Sequence, residues 1–150
     1  MEAVIFVGVQ GSGKTSFYRE HFFDTHVRIS LDMLRTRRRE QLLVAACLTA
    51  KQPFVIDNTN PAPKDRAQYI AQAKGAGFRV LGYFFETSLR DAIQRNSQRA
   101  VRQKIPVPGI AGTFTKLRVP LLEEGYDAIY RVAISTSSED GFVVSKPEVS

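Results

Sequence analysis

The sequence predicts an α/β protein in which a mainly parallel, five-stranded sheet lies between two layers of helices. Short apolar runs alternate with segments of helical pattern along the chain, and this alternation is typical of parallel sheets with helices on both faces. The runs are almost continuously apolar, as expected for strands that are buried on both sides. The first run leads directly into a glycine-rich loop, which predicts a phosphate-binding turn before the first helix.

The predicted strands are rich in Val, Ile and Phe, which favour extended structure. Because the carboxyl ends of parallel strands meet at one edge of a sheet, we expect ligands to bind at that edge. The predicted strands cover residues 3–7, 27–30, 54–57, 80–85 and 128–134.

Helices are expected in the segments between these strands. Pro63 suits the first turn of a helix, and Ser88 suits an N-cap. Pro106 and Pro108 predict a loop over residues 102–108. The predicted helices cover residues 14–22, 32–51 as two helices or one bent helix, 63–74, 89–101 and 113–124.

The composition indicates one globular domain. The chain has 150 residues, of which 43% are apolar and 24% charged, and this is enough to bury a core. We expect residues 1–134 to form the domain and the polar residues 135–150 to be a C-terminal tail that is disordered in part. The single cysteine, Cys47, lies in an apolar segment of helical character, which indicates a core position.

Charge and hydropathy bear on partners and location. The net charge of +6 suits a polyanionic partner without identifying one. No apolar stretch is long enough to span a membrane, and the N-terminus lacks the pattern of a secretion signal. We therefore expect a cytoplasmic protein without a membrane partner, and the oligomeric state stays open.

The glycine-rich loop reads GVQGSGKT and matches G-x-x-x-x-G-K-[ST]. Its glycines allow successive backbone N–H groups to point at phosphates. Lys14 is expected to reach the β- and γ-phosphates of ATP, and the Thr15 hydroxyl is expected to ligate Mg²⁺. The predicted ATP-binding residues of the loop are Gly8, Gly11, Ser12, Gly13, Lys14, Thr15 and Ser16.

A carboxylate follows the second predicted strand. Asp32 is therefore expected at the same edge of the sheet as the loop, where it can accept the proton of a hydroxyl that attacks a phosphoryl group. Arg35 is expected on the same side of a helix, where it can hold a phosphate of the acceptor. Alternatively, Asp32 only stabilises the start of a helix and pairs with an arginine.

The third predicted strand ends in Asp57, which resembles the carboxylate that helps to place Mg²⁺ in nucleotide-binding proteins. No glutamate follows Asp57, and this favours transfer to a bound acceptor over hydrolysis by a motor protein. Asp57 and Asn58 are candidate acceptor-binding residues. The alternative is that Asn58 belongs to a polar turn that only closes the strand.

Arginines recur on one face of the predicted helix at 89–101. Arg95, Arg99 and Arg102 share this face, and like charges at such spacing repel unless an anion lies against them. The segment is therefore interpreted as a small lid over ATP, on which Arg95 and Arg99 contact the phosphates and Arg99 faces the transferred group. A solvated basic face is the alternative.

Together, these motifs resemble the 5′-hydroxyl kinase domain of polynucleotide kinases. The resemblance rests on the loop at 8–15, Asp32 with Arg35, the run IDNTNP at 56–61, the run RNSQR at 95–99 and the run IPV at 105–107. It extends over about residues 3–131, which is nearly the whole chain.

The resemblance implies a P-loop kinase fold and a kinase that transfers the γ-phosphoryl group of ATP to the 5′-hydroxyl of DNA or RNA. It implies Lys14, Asp32 and Arg99 as catalytic residues, with Asp32 as general base, and Thr15 and Asp57 at the metal. One departure is that Leu31 stands where the family commonly has arginine. Leu31 lies where the acceptor is expected to enter, so the departure concerns the acceptor rather than the chemistry.

Two other functions remain open from the sequence. One is a P-loop kinase that acts on a hydroxyl of a metabolite or nucleoside, for which Leu31 is the main indication. The other is an ATP-gated binding module without transfer activity, because sequence patterns indicate binding more directly than turnover.

Overall fold

Seven strands form one sheet, and the first five of them are parallel. The computed structural model describes all residues, Met1–Ser150. The strands are β1 (Glu2–Val7), β2 (Val27–Ile29), β3 (Phe54–Ile56), β4 (Arg79–Phe85), β5 (Ala128–Ile134), β6 (Phe142–Val144) and β7 (Glu148–Val149). The spatial order is β2-β3-β1-β4-β5-β6, with β7 also paired to β5. All pairings among β1 to β5 are parallel, so the predicted fold class is confirmed.

Helices lie between the strands along the chain, as the sequence predicts. They are α1 (Lys14–His21), α2 (Leu31–Leu34), α3 (Arg37–Ala50), α4 (Pro63–Gly75), α5 (Leu89–Ser97) and α6 (Val107–Lys116), with short 3-10 helices at Val101–Gln103 and Leu122–Glu124. The segment 32–51, for which one or two helices were expected, is two helices, because Arg35 leaves the helical conformation with φ 73°.

Alternate residues of β1 face opposite sides of the sheet and enter two separate apolar clusters. Ile5 packs in one cluster with Val44 of α3 and Ile70 of α4. Phe6 packs in the other with Phe17 of α1. Helices therefore cover both faces, which explains why the strands are almost continuously apolar. Cys47 belongs to the first cluster and is buried, in agreement with its expected core position.

The structure differs from the sequence-based expectation at residues 102–124. The prediction was a loop over 102–108 and a helix over 113–124, whereas α6 begins at Val107 and ends at Lys116. Pro106 and Pro108 occupy the N-cap and the first turn of α6, where a missing N–H costs nothing. The chain is extended after Leu117, and the Arg118 N–H donates to the Pro61 carbonyl instead of continuing the helix.

Residues 135–150 contribute to the sheet instead of forming the expected tail. Within this segment, β6 and β7 both pair antiparallel with β5. The Phe142 ring packs edge-on against the Phe17 ring, with 5.1 Å between the ring centroids. This burial of an aromatic side chain explains why a largely polar segment orders against α1. None of the helices combines the length and the apolar character that a membrane crossing requires.

Candidate active site

The phosphate-binding loop joins β1 to α1 at the carboxyl edge of the sheet. Gly11 and Gly13 have φ values of 79° and 95°, a region that residues with a side chain rarely adopt. A Cβ atom on Gly11 would lie 2.5 Å from the Ala92 carbonyl oxygen of α5. The loop is therefore curled and in close contact with the helix that carries the predicted lid arginines.

Lys14 is buried at the start of α1. Its ammonium group donates hydrogen bonds to the carbonyls of Gly8 and Val9, both at 2.9 Å. Burial lowers the pKa of Lys14 from its ordinary 10.5 to about 8, and the positive charge of Arg99 acts in the same direction, whereas Asp57 opposes it. The ammonium is thus poorly solvated and held inside the loop, where an anion would stabilise its charge.

Thr15, Asp57 and Arg28 form a small polar cluster beside the loop. The Thr15 hydroxyl donates to Asp57 Oδ2 at 3.0 Å, and Arg28 Nε donates to the same oxygen at 2.8 Å. The Arg28 guanidinium also donates to the Thr15 hydroxyl at 3.3 Å. Sequence reasoning missed Arg28, although a charged residue inside the apolar strand β2 is a signal that could have identified it.

The oxygens of Thr15 and Asp57 fit a magnesium ion that is also bound by phosphates and water. Both residues line the same cavity, and hydroxyl and carboxylate oxygens are the ligands that Mg²⁺ prefers. The protein contains no cluster of three or more His, Cys, Asp or Glu side chains that could hold a metal ion.

Asp32 lies in the first turn of α2 and lines the cavity together with Lys14. Asn58, which follows β3, fixes the start of α2, because its Oδ1 accepts the Leu31 N–H at 2.9 Å. Arg35 is exposed and does not line this cavity. The expectation that a helix brings Arg35 beside Asp32 is therefore corrected: α2 ends at Leu34, and Arg35 follows it in a different backbone conformation.

A buried carboxylate holds Asn58. Glu40 of α3 is 2% exposed, and its Oε2 accepts from Asn58 Nδ2 at 2.9 Å. The other oxygen, Oε1, accepts from the Tyr69 hydroxyl at 2.6 Å and from Arg37 at 3.1 Å. Glu40 therefore fixes the amide that in turn fixes the start of α2. No motif in the sequence marked Glu40.

The lid segment is attached to the phosphate-binding loop. Arg95 of α5 donates to the Gly11 carbonyl at 2.9 Å and to the Thr87 hydroxyl at 3.1 Å. Asn96 is buried and exchanges two hydrogen bonds with the Ile105 backbone, at 2.7 Å and 2.9 Å. The loop after α5 is thereby folded back, and Arg99 lines the same cavity as Lys14.

The cavity has a volume of about 340 Å³ and brings most of the predicted site residues together. Of the predicted ATP-binding residues in the loop, Gly8 and Ser12 do not line it. The Gly8 carbonyl instead accepts from Lys14, and the Ser12 hydroxyl is buried without a hydrogen-bond partner. The predicted residues that line the cavity are Gly11, Gly13, Lys14, Thr15, Ser16, Asp32, Asp57, Asn58, Arg95 and Arg99.

The sheet order, the curled loop and the lysine at its end define a protein with the P-loop kinase fold. The chain belongs to the AAA domain family AAA_33, whose family model matches residues 4–112. The assignment to the P-loop kinases that the sequence motifs indicated is thus confirmed.

Two relatives of known description match most of the chain. It is 24% identical over 135 residues to the bifunctional polynucleotide phosphatase/kinase of Schizosaccharomyces pombe. It is 27% identical over 138 residues to a putative bifunctional polynucleotide phosphatase/kinase of Acanthamoeba polyphaga mimivirus. Each match covers 87% of this chain, but the chain spans only about a third of the length of these curated relatives.

Among solved structures, a gluconokinase from Sinorhizobium meliloti is similar with a TM-score of 0.60 and 17% sequence identity. The match covers 93% of this chain and 85% of the gluconokinase. At this level of identity, the similarity establishes the shared fold.

Proposed function

We propose that the protein is an ATP-dependent kinase that transfers the γ-phosphoryl group to the 5′-hydroxyl of DNA or RNA. The observation that carries this proposal is that Asp32 lines the same cavity as Lys14 and Arg99. A carboxylate thus shares a cavity with groups that are suited to clamp a triphosphate, and this arrangement suits phosphoryl transfer to a hydroxyl.

ATP binds with its phosphates in the loop. The backbone N–H groups after Gly11 and the Lys14 ammonium bind the β- and γ-phosphates, and Lys14 exchanges its bonds to the Gly8 and Val9 carbonyls for phosphate oxygens. Thr15 and Asp57 would hold Mg²⁺, which would neutralise charge on the phosphates.

In the chemical step, Asp32 accepts the proton of the attacking hydroxyl. The hydroxyl oxygen forms a bond to the γ-phosphorus while the bond from this phosphorus to the bridging oxygen of ADP breaks. Arg99 stabilises the negative charge that is spread over the transferred group. The products are ADP and a 5′-phosphorylated end.

The choice of a nucleic acid as acceptor has separate support. Both matched relatives carry polynucleotide phosphatase/kinase in their names. The net charge of +6 suits a polyanionic acceptor.

The second candidate is a kinase for a small hydroxyl compound. Leu31, which stands where polynucleotide kinases commonly have arginine, lines the space beside Asn58 and favours this candidate. The gluconokinase shares the fold, and fold alone does not select the acceptor.

An acceptor panel with γ-labelled ATP tests the proposal. We expect label in 5′-hydroxyl oligonucleotides and little in metabolites, and the reverse pattern would support the second candidate. The Asp32→Asn variant should retain ATP binding and lose at least about a hundredfold in kcat. Asp24→Asn is the matched control, because Asp24 is exposed and lies outside the cavity. If no acceptor is labelled while ATP still binds, the protein is a binding module.

A further inference from the structure

A second cavity lies next to the first, and its walls are basic. Its volume is about 640 Å³, and it is built from the starts of α3 and α4 and from the chain at the end of α6. Four positively charged side chains line it, compared with one carboxylate, Asp65. The four are Arg37, Lys64, Lys116 and Arg118, and we call this second cavity the basic groove.

The single carboxylate of the groove has a structural partner. Asp65 Oδ2 accepts the Ala62 N–H at 2.9 Å at the start of α4. Lys64 and Lys116 are exposed and form no ion pair. Arg37 is paired with Glu40 at 3.1 Å, so the cations of the groove without a carboxylate partner are Lys64, Lys116 and Arg118. Together they create a positive potential that attracts an anion.

The groove continues directly from the candidate active site. Asn58 and Thr59 line both cavities, whereas Asp32 lines only the first cavity, beside the phosphate-binding loop. A molecule whose hydroxyl reaches Asp32 can therefore extend past Asn58 into the groove. A small acceptor would occupy only the first cavity.

Buried hydrogen bonds connect the walls of the groove. Arg66 is completely buried, and its guanidinium donates to the carbonyls of Asn60 at 3.0 Å and Pro61 at 2.9 Å, and to the Arg118 carbonyl. The Arg118 N–H also donates to the Pro61 carbonyl at 2.8 Å. The segment after α6 is thus fixed against the loop after β3, and the cationic side chains extend from an ordered backbone.

We propose that the basic groove binds the sugar-phosphate backbone of the acceptor strand on the 3′ side of the nucleotide that is phosphorylated. This inference rests on the proposed function and specifies its acceptor as a chain of several nucleotides. A strand offers several phosphates to the several cations of the groove, and each contact between them releases a counterion. The contacts lie away from the reacting hydroxyl, so they lower KM and leave kcat unchanged.

A length series of acceptors tests this inference. We compare thymidine 3′-phosphate with 5′-hydroxyl oligothymidylates of two to about twelve nucleotides, at several salt concentrations. KM should fall by at least about tenfold as the first few nucleotides are added, and then become constant. The kcat should stay the same along the series.

Charge reversal in the groove provides the second arm. Lys64→Glu/Lys116→Glu should raise KM for the longest oligonucleotide by at least about tenfold and leave KM for thymidine 3′-phosphate unchanged. It should also reduce the magnitude of the slope of log affinity against log salt by about 1.4, because each of the two lost phosphate contacts contributes about 0.7 on a single strand. Arg19→Glu/Lys146→Glu is the control, since it changes the net charge equally at exposed positions outside both cavities.

The possible failures are distinct. If oligonucleotides are labelled but KM does not depend on their length, or if the groove variant raises KM equally for short and long acceptors, the inference is wrong and the proposed function stands. If no nucleic acid is labelled at all, the proposed function itself is wrong, and the inference is wrong with it.

Discussion

Arg28 donates a hydrogen bond from Nε to Oδ2 of Asp57 at 2.8 Å, and this ion pair joins two neighbouring strands at the carboxyl edge of the sheet. The Asp57 side chain is only 2% exposed, so its charge depends on the Arg28 guanidinium and on the Thr15 hydroxyl. An unpaired carboxylate at this position would carry a large desolvation cost.

We expect Arg28→Leu to lower the free energy of unfolding by about 3 kcal/mol, because it leaves the Asp57 carboxylate without its cation. Mg²⁺ and ATP at saturating concentrations should recover part of this loss if Asp57 supports the metal. Urea unfolding, with and without Mg²⁺ and ATP, measures both effects. In the matched variant Arg28→Leu/Asp57→Asn, the loss should be smaller, and an equal loss would contradict the role of the ion pair.

The lowered pKa of Lys14 predicts how stability depends on pH. The pKa of Lys14 is about 8 in the folded protein, against 10.5 ordinarily. Between these values the unfolded chain binds more protons than the folded protein, so the free energy of unfolding rises with pH in this window. The free energy of unfolding of the wild type should therefore rise, relative to that of Lys14→Met, from pH 8 to pH 10.5. A constant difference would show that the Lys14 ammonium is not destabilised by burial.

The same group predicts the pH dependence of ATP binding. A bound triphosphate favours the protonated form of Lys14, so binding is accompanied by proton uptake once the free protein has lost this proton. Below pH 8, where Lys14 is already protonated, its titration should not change the affinity for ATP, and above pH 8 the affinity should fall by up to about tenfold per pH unit. Calorimetry in buffers of different ionisation enthalpy measures the proton uptake, which should be absent in Lys14→Met.

Glu40 should affect catalysis without touching a substrate. In Glu40→Gln, one oxygen is replaced by an amide NH₂, so either Asn58 or the Tyr69 hydroxyl loses its acceptor. If Asn58 turns, the Leu31 N–H at the start of α2 loses its partner, and Asp32 is no longer held in position. We expect kcat to fall by about tenfold, with the affinity for ATP unchanged.

A comparison within the same network separates positioning from stability. Tyr69→Phe removes the hydrogen bond that Tyr69 donates to Glu40 and the weaker ones that it accepts from Arg37 at 3.0 Å and from Asn58 at 3.5 Å, but Asn58 keeps its bond to Glu40. It should therefore cost about 1 kcal/mol of stability and change kcat little. Equal effects of Glu40→Gln and Tyr69→Phe on kcat would contradict the positioning role.

Arg99 and Arg102 offer a matched test of the lid. Arg99 lines the cavity, whereas Arg102 lies in the following 3-10 helix and does not. We expect Arg99→Ala to lower kcat by about a hundredfold, since it removes a cation from the transferred group, and Arg102→Ala to lower it little. Single-turnover kinetics measures the chemical step directly. Similar losses in both variants would favour a general basic face over a specific arginine.

Local patterns were sufficient to predict the fold and much of the site. The glycines of the loop, the apolar strands and the residues that directly follow each strand are adjacent in sequence, so the positions of Lys14, Asp32 and Asp57 at one edge follow from a parallel sheet. The errors arose where tertiary contacts compete with local preference. The extended segment after Leu117 and the strands β6 and β7 form because of contacts with Pro61, Phe17 and β5.

The sequence by itself determined the parallel sheet, the phosphate-binding loop and the acidic residues at the ends of the second and third strands, because each depends on short-range spacing and on backbone conformations that only certain residues adopt. Only the tertiary structure decided that Arg28 pairs with Asp57, that Glu40 holds Asn58, and that four cations form a groove beside the first cavity. These side chains come from different strands and helices, and no periodic pattern in one segment encodes which distant partner a charged side chain meets.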